Sequence, residues 1–420
     1  MFGYLPLRLL RTWLVALAIF PFACAENPEG DDVGADADAD SDSDADADSD
    51  ADILKCDLGE YGGSVIVNSD SEMDALVGYT SVEGDLMING SGVDGLSKLA
   101  CLESVGGDLG LAFPFCYDLE HLSSLREIGG SFYLEFSQGI YDLHGLEQLE
   151  SVGEDLWFVR NHDLVSLEAL EGLTVSDDAM LWVEENDTLE SLEGMEGITS
   201  LRELYIEGNP ALESLYGLEN LTALGGGVDT EVPMAIVGNP SLQSLEGLGG
   251  LASISGDVEI IDNDGLTDLS GLEGLMGFVQ IDLTVDDNDS LYNLAGLEGV
   301  SGLSSATITG NGALESLTGL DNVTEAEDLT IEDNDFLTTF MGLTFLESIT
   351  GVMTVTGNDM LVSLDGMSEL ASIGVGLTFS FNTSLSDCQI CELLGTLDYS
   401  FAPDVHDNLD DACTPVPEGC

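Results

Sequence analysis

The sequence predicts a mainly β protein, a right-handed parallel β-helix or solenoid of about 13 coils of about 24 residues each. An asparagine recurs every 23 to 30 residues, apolar residues alternate just before it, and a leucine- and glycine-rich motif follows it. A fixed period of this size is typical of solenoids, in which each repeat buries its apolar face by stacking on its neighbours. The recurring asparagines are Asn161, Asn186, Asn209, Asn239, Asn263, Asn288, Asn311, Asn334, Asn358 and Asn382.

Each repeat begins with a short predicted strand. Leu204 and Ile206 alternate with polar residues before Asn209. Successive side chains point to opposite faces of a strand, so this period of two places one face in the core. The same pattern returns as LWVEENDTL, LTIEDNDFL and MTVTGNDML at 181–189, 329–337 and 353–361.

The second half of each repeat is a turn segment with glycine at one fixed place, as in SLYGLENL (214–221) and SLTGLDNV (316–323). A recurring glycine predicts a positive φ angle or a close approach of neighbouring backbones. Ala169 and His121 take this place in two repeats, so glycine is not obligatory there. The recurring asparagine is predicted to be structural, because a column of buried amides satisfies backbone groups that the turns leave unpaired.

These repeats resemble the leucine-rich-repeat-like coils of the receptor L domain, and still more those of bacterial surface lipoproteins built from many such coils. Residues 62–90, GGSVIVNSDSEMDALVGYTSVEGDLMING, resemble their opening coil, and 381–395, FNTSLSDCQICELLG, resemble their closing coil and capping helix. The resemblance implies a repeat solenoid over 55–384 and a Cys-rich cap with a short helix over 385–420. It implies little about function, because such coils bind many partners.

Residues 1–25 are typical of an export signal, since two arginines precede an apolar stretch that is short for a bilayer span. Two cleavage patterns fit. Pro-Phe-Ala-Cys at 21–24 resembles a bacterial lipobox, which would make Cys24 a lipid anchor on the outer membrane or cell surface. Ala-Cys-Ala at 23–25 fits ordinary signal peptidase, which would release the protein as a secreted one.

Residues 26–54 are predicted to be a disordered tether. Aspartate occupies every even position from Asp36 to Asp52, separated by alanine and serine. Such a segment buries no apolar surface, and its like charges extend it. It would hold a solenoid away from a membrane.

The remaining cysteines cluster near the two ends of the predicted solenoid. In an oxidising compartment they are expected to form disulfides that staple the end coils, which would otherwise be bare. Cys388-x-x-Cys391 has no second CxxC or His pair that would complete a zinc site. The disulfide candidates are Cys56, Cys101, Cys116, Cys388, Cys391, Cys413 and Cys420.

The chain is strongly acidic, with 81 Asp and Glu against 7 Lys and Arg, a formal net charge of −74. After Arg202 it contains no Lys or Arg. This charge predicts that the protein does not bind nucleic acid and touches membranes only through a lipid anchor. It also predicts better folding at high ionic strength, where salt screens the self-repulsion.

Several aspartates follow the recurring asparagine directly: Asp264, Asp289, Asp335 and Asp359. Equivalent side chains of adjacent coils lie about 4.8 Å apart, so aligned carboxylates repel each other. Two interpretations remain open. These residues either bind Ca²⁺ along a ridge or are ordinary turn residues.

The leading functional prediction is a non-catalytic cell-surface recognition or adhesion scaffold, monomeric, that binds an extracellular protein or glycan. The longest repeat carries the insert GGGVDTEVPM (225–234), and insertions on one face of a solenoid often form the binding side. The alternatives are a structural envelope or matrix component and a polysaccharide-active β-helix enzyme. The four histidines (His121, His144, His162, His406) form no triad or metal spacing, and the sequence singles out no catalytic residue or cofactor.

Overall fold

The computed structural model describes residues 55–113, 118–226, 232–278 and 281–409. The described residues all belong to one compact unit, Ser49–Cys420. The predicted export signal, Cys24 and the tether lie outside the described residues, as do Cys116, Cys413 and Cys420.

This unit is a mainly β parallel solenoid of about fifteen turns, which confirms the predicted fold class. One sheet, called the main sheet below, receives a strand from every coil, and its strands pair in parallel in chain order. Its strands are Val65–Val67, Leu86–Asn89, Leu109–Ala112, Phe132–Glu135, Leu156–Val159, Met180–Glu184, Glu203–Glu207, Met234–Val237, Val258–Ile261, Asp282–Asp286, Val300–Thr309, Glu325–Glu332, Val352–Thr356, Gly376–Ser380 and Asp404–His406.

There are two coils more than predicted. The coils before Asn161 lack the marker asparagine, so the sequence period undercounts them. The chain also forms a further main-sheet strand, Asp404–His406, after the C-terminal helix.

Shorter strands form a second set of parallel ladders where the chain turns back toward the main sheet. They are Gly59–Tyr61, Tyr79–Val82, Ser104–Val105, Glu127–Ile128, Ser151–Val152, Thr174–Val175, Ser200–Leu201, Ala223–Gly225, Ser253–Ser255, Gly277–Phe278, Ser348–Ile349 and Ser372–Ile373. The α-helices are α1 (Asp70–Met73) and α2 (Asp387–Leu394). Single 3₁₀ turns occur at Asp74–Leu76, Gly90–Gly92, Ser97–Leu99, Glu120–Leu122 and Glu168–Leu170.

One continuous apolar core fills the solenoid. In a typical coil, Leu181, Val183, Leu189 and Leu192 are all fully buried. The residues between them on the strand point outward, as the period of two predicts. Burying each such side chain contributes about 1.5–3 kcal/mol, so stacked coils depend on their neighbours for stability.

The structure shows both features predicted for the fixed glycine, a positive φ angle and a close approach of neighbouring backbones. Where it occurs its φ angle lies between 106° and 117°, and at Gly271 an added Cβ would lie 2.1 Å from the carbonyl oxygen of Leu245 in the preceding coil. The coils that carry Ala169 or His121 instead form 3₁₀ turns at this place. A 3₁₀ turn keeps φ negative, which explains why these two coils accept a side chain.

At the N-terminal end of the solenoid, the described residues confirm the prediction that a disulfide staples the end coils. A disulfide joins Cys56 to Cys101 across 45 residues, with a Cα–Cα distance of 5.3 Å. Cys388 and Cys391, both on α2, are also disulfide-bonded. The side chain of Ser386 caps α2 by accepting a hydrogen bond from the Cys388 N–H. Within the described ranges, no helix is both long and apolar enough to cross a membrane.

Candidate recognition surface

The predicted asparagines form an uninterrupted hydrogen-bonded ladder, and all ten side chains are fully buried. At Asn186, the backbone N–H donates to Oδ1 of Asn209 (3.0 Å), and Nδ2 donates to the carbonyl of Phe158 (2.8 Å). The pattern repeats from coil to coil. The ladder also includes Ser137 at its start and Asn408 at its end, which the sequence period did not identify. This geometry gives the asparagines a structural role.

The residue before each ladder position has a left-handed backbone conformation, with φ between 52° and 72°. Aspartate, glycine and asparagine tolerate this conformation best, which explains the aspartates found there. The residues are Phe136, Arg160, Glu185, Gly208, Gly238, Asp262, Asp287, Gly310, Asp333, Gly357, Phe381 and Asp407.

The aspartates that follow the ladder lie on one turn ridge. The backbone N–H of Asp289 donates to Asp264 (3.4 Å), and Asp359 accepts from Thr383 (3.0 Å). The pKa of nearby Asp287 is raised, first by burial and then by the surrounding aspartates. No three His, Cys, Asp or Glu side chains in the described ranges come together in a way that could hold a metal ion. Calcium binding at this ridge stays a prediction.

The main sheet carries a column of four stacked aromatic side chains on its outer face. They are Tyr133, Trp157, Trp182 and Tyr205, each four residues before a ladder position and each half-buried. The ring centroids of the two tryptophans are 4.7 Å apart with planes 15° apart, and Trp182 and Tyr205 are 4.9 Å and 22° apart. Tyr133 is tilted by 53° against Trp157 at 5.6 Å. This column, with its flanking outward side chains on strands 132–135, 156–159, 180–184 and 203–207, is called the aromatic face below.

The same column changes character toward the C-terminus. After Ala235 and Glu259 it consists of five threonines in successive coils, aligned in register. Threonine suits a pleated half-exposed surface, and threonine pairs stabilise neighbouring strands. The threonines are Thr284, Thr307, Thr330, Thr354 and Thr378. Aromatic stacking therefore distinguishes the four coils of the aromatic face from the threonine coils of the same sheet.

Two arginines border the aromatic face, and both are held by carboxylates. Arg160 pairs through Nε with Glu185 (2.6 Å) and through Nη2 with Glu184 (3.4 Å). Its guanidinium also lies 5.4 Å from the centre of the Phe136 ring. Trp182 donates through Nε1 to Glu184 (2.8 Å), which ties this carboxylate to the stack.

On the opposite edge of the column, Arg202 lies between Asp155 (3.5 Å) and Glu203 (3.3 Å). Burial raises the pKa of Asp155, although Arg202 opposes that rise. Burial likewise raises the pKa of Glu135, with Arg160 opposing it. The carboxylates around the column are therefore partly desolvated and only partly neutralised.

The predicted insert adjoins this surface. Its last residue, Met234, opens the strand Met234–Val237, which pairs directly with the strand that carries Tyr205. The carbonyl of Pro233 accepts a hydrogen bond from the Leu204 N–H (2.8 Å). Residues 227–231 lie outside the described residues, so the structure places only the two ends of the insert.

The histidines give no support to a catalytic centre. His144 pairs with Glu147, His162 with Asp187, and His406 with Asp407, each within its own coil or with the next one. His144 and His162 lie on turns and His406 ends the strand Asp404–His406, and all three are exposed in different coils. Each arrangement is a local contact between an imidazole and a carboxylate rather than part of a convergent set of nucleophile, base and orienting group.

Comparison with protein families and with curated proteins finds no match. Similar solved structures include the crystal structure of a TLR13–ssRNA13 complex, at 14% identity and a TM-score of 0.25 over 85% of this chain and 63% of that one. A second is a leucine-rich repeat protein from Bacteroides eggerthii DSM 20697, at 11% identity and a TM-score of 0.29 over 80% of this chain and 72% of that one. This chain thus spans less than two thirds of the first neighbour's length. The fold of this chain is instead read from its own strand pairing.

Proposed function

We propose that this protein is a non-catalytic recognition scaffold displayed at a bacterial cell surface, and that it binds a protein partner through the aromatic face. The observation that carries the proposal is the stacked column of Tyr133, Trp157, Trp182 and Tyr205 on an otherwise acidic, hydroxyl-rich sheet. Tryptophan, tyrosine and arginine are the residues most enriched in the energetically dominant part of protein interfaces.

The rigidity of the sheet supports this function. The outward side chains are fixed by strands that pair on both sides and by the fully buried asparagine ladder behind them. A binding surface whose side chains are already ordered loses little conformational entropy when a partner docks. The stack also orders the rings before binding, since each ring is held by its neighbour.

The geometry of the stack favours a protein partner over a glycan. Sugar rings bind aromatic side chains by lying against an open ring face. Here the planes of Trp157, Trp182 and Tyr205 are nearly parallel, so neighbouring rings cover one another's faces and present their edges outward. Side chains of a protein can pack against such edges and against the carboxylates beside them.

The proposed location follows from the N-terminal sequence. Residues 21–24 offer Cys24 as a lipid anchor, and the aspartate-rich tether would then lift the solenoid from the membrane. Contact with the membrane would be through this anchor only. The excess of acidic residues supports the further proposal that nucleic acid is not a ligand.

The test compares two variants of the full chain. Trp182→Ser interrupts the stack, and Thr330→Ser alters the same column in the threonine coils. Each protein is titrated against immobilised surface and secreted proteins of the producing cells. We expect saturable binding that Trp182→Ser abolishes and Thr330→Ser preserves. Binding that is indifferent to Trp182→Ser, or self-assembly into filaments without a saturable ligand, would instead favour a structural envelope component.

A further inference from the structure

Carboxylates border the aromatic column on both sides. Glu135, Glu184 and Glu207 occupy the outward position two residues after the ring in their strands. Asp155 and Glu203 occupy the position two residues before the ring. A partner that covers the rings must therefore also neutralise these carboxylates, because burying an unpaired charge is strongly unfavourable.

The protein's own cations leave part of this charge uncompensated. Arg160 and Arg202 are already engaged by four carboxylates between them. At the end of the column nearest the insert, the pKa of Glu207 and that of Glu259 are both raised by burial and then by neighbouring acidic groups. The sequence supplies no further Lys or Arg after Arg202 that could approach this end.

The two arginines also show how a cation is held on this surface. Arg160 places its guanidinium over the Phe136 ring while pairing with two glutamates of the neighbouring coil. Lys and Arg side chains combine an apolar stem with a charged head, so the stem packs on aromatic surface while the head reaches a carboxylate. Aromatic rings with carboxylates on both sides therefore suit a Lys or Arg side chain, because they offer apolar surface to its stem and a carboxylate to its head.

We propose that the partner segment that docks on the aromatic face is rich in lysine and arginine. This inference rests on the proposed function and names the chemistry of the partner. An extended basic segment lying along the column would place its aliphatic stems against the ring edges and its charged heads against Glu135, Glu207 and Glu259. Opposite charge also accelerates the encounter of the two proteins.

The proposal is tested with a defined probe, a 12-residue peptide of alternating arginine and serine. The full chain carries Trp13→Phe, so that Trp157 and Trp182 are its only tryptophans and their emission reports events at the column. Peptide is titrated at physiological ionic strength. A glutamate–serine peptide of the same length is the control for charge.

Two variants localise the binding. Glu207→Gln removes one carboxylate beside the rings, and Glu332→Gln removes one from the equivalent position of the threonine coils. Both proteins lose the same net charge. We expect a saturable change in emission with the basic peptide, a Kd raised about fivefold by Glu207→Gln, and a Kd changed less than about twofold by Glu332→Gln.

Two results would overturn the inference. One is the absence of a saturable emission change, and the other is an equal loss of affinity in both variants, which would mean diffuse attraction to an acidic surface. Failure of this inference is distinguishable from failure of the proposed function. A cellular partner whose binding requires Trp182 but is indifferent to Glu207→Gln would refute the basic chemistry and leave the recognition surface in place.

Discussion

Replacing Asn263 by alanine should destabilise the solenoid far more than replacing an exposed asparagine. The Asn263 side chain is fully buried and donates through Nδ2 to the carbonyls of Ile236 (2.8 Å) and Ile261 (2.9 Å). Its Oδ1 accepts from the backbone N–H of Asn239 (3.1 Å). Alanine leaves the Asn239 N–H without this acceptor and the Ile236 carbonyl without this donor.

The expected loss of unfolding free energy follows from the Asn239 N–H and the Ile236 carbonyl. A buried donor or acceptor left unpaired costs about 1–3 kcal/mol, so two of them predict a loss of roughly 4 kcal/mol. Asn220→Ala is the matched control, because the exposed Asn220 makes a single hydrogen bond, to the Glu196 carbonyl (2.8 Å). The Asn220→Ala variant should lose no more than about 1 kcal/mol of unfolding free energy. Asn263→Asp should also destabilise strongly at neutral pH, since it keeps the acceptor but replaces the donor and buries a charge.

Urea unfolding followed by circular dichroism measures these losses. Long repeat arrays can unfold in parts, so hydrogen exchange of the backbone amides in residues 234–291 should accompany it. We expect exchange to accelerate around the broken step of the ladder first. A loss at Asn263 that is no larger than the loss at Asn220 would refute the assignment of the ladder as a stabilising element.

Gly271→Ala should lower the free energy of unfolding by at least about 2 kcal/mol, because φ is positive there and the added Cβ would meet backbone atoms. Gly249→Ala is the control, since a Cβ there has open space, and its free energy of unfolding in urea should change by less than about 0.5 kcal/mol. Glu259→Gln should stabilise the protein at pH 7 and have no effect near pH 3. The raised pKa of Glu259 means that the native state loses stability as pH rises from the ordinary value of 4.5 through the raised one. If the variant and the parent protein have the same melting temperature at pH 7, this prediction is wrong. Removing the Cys56–Cys101 bridge should lower stability by roughly 4 kcal/mol, as loop entropy predicts, in a comparison of the double serine variant with the parent. Raising NaCl from 0.05 to about 1 M should raise the melting temperature, because salt screens repulsion among the acidic groups, and no change would contradict the self-repulsion.

The fold could be predicted because each coil repeats the same chemistry. The asparagine period, the strand alternation and the fixed glycine each report one position of the coil, and the structure confirms all three. Two members of the ladder, Ser137 and Asn408, were not predicted, and they lie at its two ends. Serine takes the place of asparagine at one end, and helix α2 lies between Asn382 and Asn408 at the other. Asn408 belongs to the last described coil, which differs from internal repeats because a solenoid end faces solvent on one side, whereas Ser137 belongs to the fourth coil, where a shorter hydroxyl side chain replaces the amide.

The aromatic face was not predicted, although its signal is present in the sequence. Tyr133, Trp157, Trp182 and Tyr205 lie far apart along the chain, and nothing local marks them as neighbours. Their adjacency depends on the register of the main sheet. Alignment of the repeats on the ladder position would have found them, since each precedes it by four residues. The identity of a partner is not encoded in the repeat at all, because recognition uses the positions that the fold leaves free.

Site-specific photocrosslinking in the cells that produce the protein tests directly whether a partner binds the aromatic face. A photoreactive amino acid is placed at Tyr205 in one strain and at Thr330 in another, two equivalent positions of the same column. We expect a discrete crosslinked protein adduct from position 205 and none from position 330. Identical adducts from both positions, or none from either, would contradict recognition through the aromatic face.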